Sequence, residues 1–357
     1  MHQPETNPSQ AASSRSRKFF RVCGHLFVYA ILLVLALWTV AALHFDVRIA
    51  WLRVPCIVLY LLALIAVFTF FRNFWRRVLG IIVCSAIVML WWFSLKPSNN
   101  EDWQADVSRT ANAEVQGKLV TIHNLRDCDY RAEFDYTCQW ETKQVNLDDI
   151  RGLDIFLDYW GSPWIAHTIL SFDFGNGLHI PFSIEARKQV GQSYSATRGF
   201  FRQFTLITVV STERDVVRLR TNYRKDEDLY LYHTTATIPF ARSLFLDYIG
   251  LANDLHDHPR WYNALTDNCT TQIFDLKSMD AQPFKLAVLL NGKGDEMEYK
   301  EDNLATDGLS FNELKVRAYI NPAANAADDD PDFSARIRAG RPGFSTQTTP
   351  HPLSVQR

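Results

Sequence analysis

The run Trp164-Ile165-Ala166-His167-Thr168-Ile169-Leu170-Ser171-Phe172-Asp173-Phe174-Gly175-Asn176-Gly177-Leu178-His179-Ile180-Pro181-Phe182-Ser183-Ile184-Glu185-Ala186-Arg187 decides how the second half of this chain folds. Gly-Asn-Gly between two β-prone runs is a strong hairpin signal. A hairpin centred on Asn176 pairs residues whose numbers sum to 352, which sets His167 opposite Glu185. Directly opposed side chains on one face interact, so Glu185 could orient the His167 imidazole and stabilise its protonated form, as the third member of a triad does. A one-residue slip destroys the pairing. The plainer alternative is a half-exposed histidine beside a surface glutamate.

About a hundred residues downstream stands Tyr262-Asn263-Ala264-Leu265-Thr266-Asp267-Asn268-Cys269-Thr270-Thr271. Turn-rich residues here give way to a helix start, with Asp267 or Asn268 as N-cap. Cys269 then falls in the first turn, where unpaired N–H groups and the helix dipole favour an anion and ease thiolate formation. The alternative is a buried structural cysteine.

The first hundred residues are of another class. Val22–Phe45, Val54–Phe71 and Val78–Phe93 are apolar runs whose only titratable groups besides cysteine are His25 and His44. Their lengths predict three transmembrane helices, the third ending in an interfacial belt of Trp91, Trp92 and Phe93. No small-residue cleavage site follows the first run, which argues against a removable signal peptide. Arg15, Arg17, Lys18 and Arg21 precede the first span, and Arg72, Arg76 and Arg77 separate the second from the third. The loop between the first and second has only Arg48 and Arg53, beside Asp46. By the positive-inside tendency the N-terminus is cytoplasmic and everything after Lys96 is periplasmic, in a bacterial inner membrane.

Charge divides the same way. Residues 1–95 hold nine Lys/Arg and two Asp/Glu, a surplus of seven positive charges, so with −2 for the whole chain the remainder carries −9. Nucleic acid is an unlikely partner for such a domain. Cys23, Cys56 and Cys84 lie in the spans, and Cys128, Cys138 and Cys269 in the outer domain. In an oxidising compartment Cys128 and Cys138, ten positions apart across a strand pair, could form a disulfide and leave Cys269 as the odd thiol. Their spacing with His123 fits no zinc pattern. Neither metal nor cofactor is expected.

Along the outer domain, Pro97–Trp103 reads as a linker and Leu119–Asn124 and Tyr136–Leu147 as strands, with Asp148–Asp158 a short element before the aromatic cluster Tyr159, Trp160 and Trp164. Phe204–Val210, Asp215–Arg220 and Leu229–Thr235 read as further strands. Ile238–Asn253 carries Ala241, Leu244, Phe245, Tyr248, Leu251 and Ala252 at helical spacing, and Ser310-Phe311-Asn312-Glu313 is a capping box opening a helix to about Ile320. This predicts an α+β domain, an antiparallel sheet with helices against one side. Residues 321–357 read as a solvated extension. Arg218 and Arg220, on one face of a strand, suit a phospholipid phosphate. The alternative is an ion-pair lattice with Glu213, Asp215, Asp226 and Glu227.

Taken together, Ala166-His167-Thr168-Ile169-Leu170-Ser171-Phe172, Ser183-Ile184-Glu185-Ala186-Arg187, Gly199-Phe200-Phe201-Arg202-Gln203-Phe204, Glu213-Arg214-Asp215, Leu229-Tyr230-Leu231-Tyr232 and Asn268-Cys269-Thr270-Thr271 resemble the Lnb-type periplasmic domain family. The resemblance covers roughly residues 119–343. It implies a circularly permuted papain/NlpC-P60-like fold in which the nucleophile follows the histidine, with Cys269 as nucleophile and His167 as its base. Glu185 as the orienting residue comes from the hairpin geometry. The family includes a lipoprotein N-acyltransferase, which implies a thiol acyltransferase taking an acyl chain from phospholipid through a Cys thioester to a lipoprotein amine. Asn268, Thr270, Arg187, Arg202, Arg218 and Arg220 are then candidate substrate or lipid contacts. A cysteine amidase or peptidase acting on cell-wall peptides and a non-catalytic envelope binding protein are the alternatives. The expected organisation is a cytoplasmic segment 1–21, a membrane region 22–95, a linker 96–118, the thiol-enzyme-like domain 119–320 and the extension 321–357.

Overall fold

A computed structural model describes residues 8–164, 166–274, 276 and 292–344. They fall into two compact units, one of residues 8–96 with Phe201–Gln203, the other of the described residues between 97 and 200 and between 204 and 344.

The first unit is three helices, α1 (Pro8–Asp46), α2 (Ala50–Phe70) and α3 (Phe74–Ser94), each long and apolar enough to cross a membrane. Hydrocarbon offers backbone groups no partner, so only a regular helix is stable in such a stretch. Asn73 caps α3, its Oδ1 accepting from the N–H groups of Trp75 and Arg76. Gly80 lets α2 and α3 approach, since a Cβ there would stand 2.8 Å from Val67 Cγ1. At the C-terminal end of α1, Asp46 accepts from Trp92 Nε1 at 2.6 Å and from Gln203 Nε2 at 2.8 Å. The Arg202 guanidinium lies 4.1 Å over the Trp92 ring and donates to the Leu95 carbonyl.

The second unit holds two antiparallel sheets. β1 (Asn112–Gln116), β2 (Leu119–Ala132) and β3 (Asp135–Asn146) form the smaller. β2 runs well past the expected Asn124, because Asn124 takes a positive φ of 56° at a bulge and lets pairing resume at Leu125. Cys128 and Cys138 are direct partners in this ladder and are bonded to each other. The larger sheet, of β4 (Gly152–Trp160), β5 (Ala166–Asp173), β6 (His179–Arg187), β7 (Thr205–Val210) and β8 (Glu227–His233), has the order β7-β6-β5-β4-β8. β5 and β6 pair from Ile169↔Ser183 to Asp173↔His179, the register whose numbers sum to 352.

Helices cover both faces of the larger sheet, not one. Ile155, Leu157, Leu170, Phe172, Phe182 and Ile184 point to one face and pack on Leu244, Phe245, Tyr248 and Ile249 of α6, which follows the short α4 (Ala196–Gly199) and α5 (Glu213–Arg218) and spans Ile238–Asp257. On the other face Phe156, Ile169, Leu229 and Leu231 pack on Val216 and Val217 of α5. That core is closed by helices beyond α7 (Cys269–Phe274), α8 (Gly294–Lys300) and α9 (Phe311–Ala318), namely α10 (Asn321–Ala326) and α11 (Phe333–Arg338).

Two expectations are corrected here. Asp215–Arg220 is α5 running into a π-helical turn, Leu219–Tyr223, because Thr212 Oγ1 accepts the Asp215 N–H and caps a helix whose first turn carries Glu213 and Asp215. Residues 321–344 are no solvated tail, since Phe333 and Ile337 lie in the second core and Arg338 is buried in ion pairs. The remainder of the expected extension lies outside the described residues.

Candidate active site

His167 is the second residue of β5 and shares with Ser183 and Glu185 the sheet face that looks toward α5. The two expected partners do not touch directly. Ser183 stands between them, its Oγ 2.7 Å from His167 Nε2 and donating to Glu185 Oε1 at 2.8 Å. A hydroxyl has one proton and an ionised carboxylate only accepts, so the Ser183 proton goes to Glu185 and Nε2 must be the donor to Ser183. The neutral imidazole therefore keeps its lone pair on Nδ1. Burial lowers the His167 pKa to about 3, reinforced by Arg220 and opposed by Glu185, so the ring is neutral across the physiological range.

Behind Glu185 stands Arg220, from the π-helical turn. Its Nη2 donates to Glu185 Oε1 at 2.9 Å, its Nη1 to the Val216 carbonyl at 2.8 Å, and its Nε pairs with Asp158 Oδ2 at 3.1 Å. Asp158 is the direct β4 partner of His167. Burial pushes its carboxyl above the usual range, against Arg220 and with Glu227. Burial would raise Glu185 too, but Arg220, helped by Arg126 and His167, holds it well below that range. The two neighbouring carboxyls are thus shifted in opposite directions, Glu185 down and Asp158 up.

Ser183 is the member that sequence reasoning passed over. Its signal was available, two residues before Glu185 and so on the same strand face.

Cys269 opens α7, whose start is fixed locally. Asn268 is the N-cap, its Oδ1 accepting from Thr271 N at 3.1 Å while its own N–H donates to Thr271 Oγ1 at 2.9 Å. Asn268 Nδ2 also donates to the Ala264 carbonyl, and the Ala264 N–H to the Gly199 carbonyl. A Cβ at Gly199 would come within 3.0 Å of Ala264 Cβ, which is why glycine suits that contact. α7 packs beside β6, the strand of Ser183 and Glu185, and Ile273 joins the core on the α6 side, the face opposite His167. The side chains of Cys269 and Thr270 lie outside the described residues.

The arginines expected to meet lipid each have protein partners. Arg187 donates to the carbonyls of Val107 and Ser108 and to Asn99 Oδ1, beneath the Trp103 ring. Arg218 pairs with Asp129 and donates to the Asp328 carbonyl, and Arg220 serves Glu185 and Asp158. Each is buried, where a guanidinium needs fixed partners in place of water. Arg202 belongs to the first unit. Among the described residues no group of three or more His, Cys, Asp or Glu is placed to hold a metal ion.

No curated protein and no solved structure matches the chain. Residues 136–293, which span the hairpin, the His167–Ser183–Glu185 chain, Arg220 and Cys269, match the family described as the Lnb N-terminal periplasmic domain.

Proposed function

We propose that this protein is a membrane-anchored periplasmic thiol acyltransferase in which Cys269 is the nucleophile and His167 its base. The observation that carries the reading is the chain Arg220–Glu185–Ser183–His167, which commits Nε2 as a donor and leaves Nδ1 to take a proton. The neutral ring is the form a base requires. Exposed Trp160, whose ring lies 6.4 Å from the imidazole, supplies apolar surface at the same end of the sheet.

In the first half-reaction the Cys269 proton passes to His167 Nδ1 and the thiolate attacks the ester carbonyl carbon of a phospholipid. The C–O bond breaks, His167 returns its proton to the departing lyso-lipid oxygen, and a thioester remains. A lipoprotein N-terminal amine then attacks the thioester, a C–N bond replaces the C–S bond, and the thiol is restored. Donor and acceptor both lie in the membrane that anchors the enzyme, which raises their effective concentration.

Intact-protein mass spectrometry of the full-length protein, incubated with phospholipid vesicles, tests this. The expected result is an acyl-sized adduct released by hydroxylamine and missing from Cys269→Ala. An unmodified protein with a demonstrably free, folded Cys269 contradicts it, and release of peptide from cell-wall fragments by the same protein would identify an amidase.

A further inference from the structure

We infer that Arg220 sets the tautomer of His167, acting as a positioning residue through Glu185 and Ser183. Ser183 has one proton to give, and it goes to whichever neighbour can only accept. With Glu185 ionised the hydroxyl donates to Oε1 at 2.8 Å and takes the Nε2 proton at 2.7 Å, so Nδ1 is the basic nitrogen. With Glu185 neutral the order of donation can run the other way, from carboxyl to hydroxyl to Nε2, and the imidazole proton then sits on Nδ1. A single charge decides which nitrogen can act as a base.

Arg220 is built to hold that charge. Its Nη2 meets the same Oε1 that receives the Ser183 proton, and the Val216 carbonyl and Asp158 fix the rest of the guanidinium. The residue sits in a π-helical turn closed by Arg224 N donating to the Leu219 carbonyl at 2.9 Å, a geometry frequent at functional sites. The other charged groups bearing on Glu185 are Arg126 of β2 and Arg224. Arg126 already gives both ends of its fork to Asp215, and Arg224 pairs with Glu227. Among these cations, Arg220 is the one hydrogen-bonded to Glu185.

This deepens the reading of His167 as a base and rests on it for its use, yet the tautomer is measurable with no turnover at all. The experiment is nitrogen and carbon NMR of full-length protein labelled at histidine and held in lipid nanodiscs, with the His167 signals assigned by their loss in His167→Gln. Wild type is expected to show a protonated Nε2 and a bare Nδ1 at neutral pH. Arg220→Gln is expected to move the proton to Nδ1, and Arg220→Lys, which keeps the charge, to restore the wild-type pattern. Ser183→Ala breaks the relay while sparing the Arg220–Glu185 pair, and should give a mixture of the two forms. A wild-type ring protonated on Nδ1, an unchanged ring in Arg220→Gln, or a pure Nε2–H ring in Ser183→Ala overturns the inference. Loss of the thioester adduct with the tautomers as stated would refute the acyltransferase and leave this assignment standing.

Discussion

Arg338 Nη2 lies 2.6 Å from Asp154 Oδ2 and 2.6 Å from Glu213 Oε1, so one guanidinium on the last helix joins a central strand to the first residue of α5. All three groups are buried. Breaking a buried pair by removing one partner leaves uncompensated charge, at a cost of about 3–5 kcal/mol. Arg338→Ala should therefore lower the chemical-denaturation midpoint of the outer domain sharply, and Arg338→Lys should recover only part of it, because a point charge cannot serve two carboxylates as a fork does.

The same network predicts acid sensitivity. Burial opposes ionisation of Glu213, but Arg338 overrides it and brings the pKa to about 2, and Asp154 is lowered in the same way. A carboxyl depressed on folding stabilises the native state above its unfolded pKa, and that contribution is lost as pH falls toward the folded value. The outer domain should lose stability between about pH 4.5 and pH 2. Arg338→Ala should flatten this part of the stability–pH profile.

His167 acts in the neighbouring window. Its folded pKa is lowered to about 3 from 6.5, so between these values the unfolded state binds more protons and stability rises with pH. His167→Gln should remove about 1–2 kcal/mol of the loss that wild type suffers on going from pH 7 to pH 5, an amount set by the linkage slope of 1.36 kcal/mol per pH unit. Unfolding curves of the two proteins at those pH values check it.

The disulfide joins neighbouring strands and closes a loop of only ten positions. Opening it should cost about 3 kcal/mol on the chain-entropy scale. Cys128 N also donates to Asp215 Oδ2, which holds Arg126, so Cys128→Ser with Cys138→Ser should loosen the start of α5 as well as lower the melting temperature. Amide exchange across residues 213–218 reads the first effect apart from the second.

Orientation has its own test. If the basic flanks set topology, a membrane-impermeant maleimide should label Asn100→Cys in spheroplasts with intact inner membranes, and Ser16→Cys only after those membranes are permeabilised. The opposite pattern would put the outer domain in the cytoplasm.

Local signals carried the elements that follow from them. The Gly175-Asn176-Gly177 turn fixed the β5–β6 register, and the spacing of Leu244, Phe245, Tyr248 and Leu251 fixed α6 and its buried face. α5 was misread because Val216, Arg218 and Arg220 alternate like a strand, while the deciding Thr212 cap is a single hydroxyl. The C-terminal helices were missed for a different reason. Their polar, alanine-rich sequence becomes structured through Arg338, whose partners lie 184 and 125 positions earlier. In the site, strand periodicity set His167 and Glu185 on one face but not which side chain would span them, and Ser183 does.

The most direct test of the central claim is whether one short bifunctional reagent can join Cys269 to His167. Treating the full-length protein with 1,3-dibromoacetone, which alkylates a thiolate and then a nearby imidazole, and mapping the digest by mass spectrometry reads that proximity. The account predicts a bridge between the peptides bearing Cys269 and His167, missing from His167→Gln although Cys269 is still alkylated. A Cys269 that is alkylated in wild type without ever bridging to His167 would contradict it, and would make His167 a packing residue and not a base.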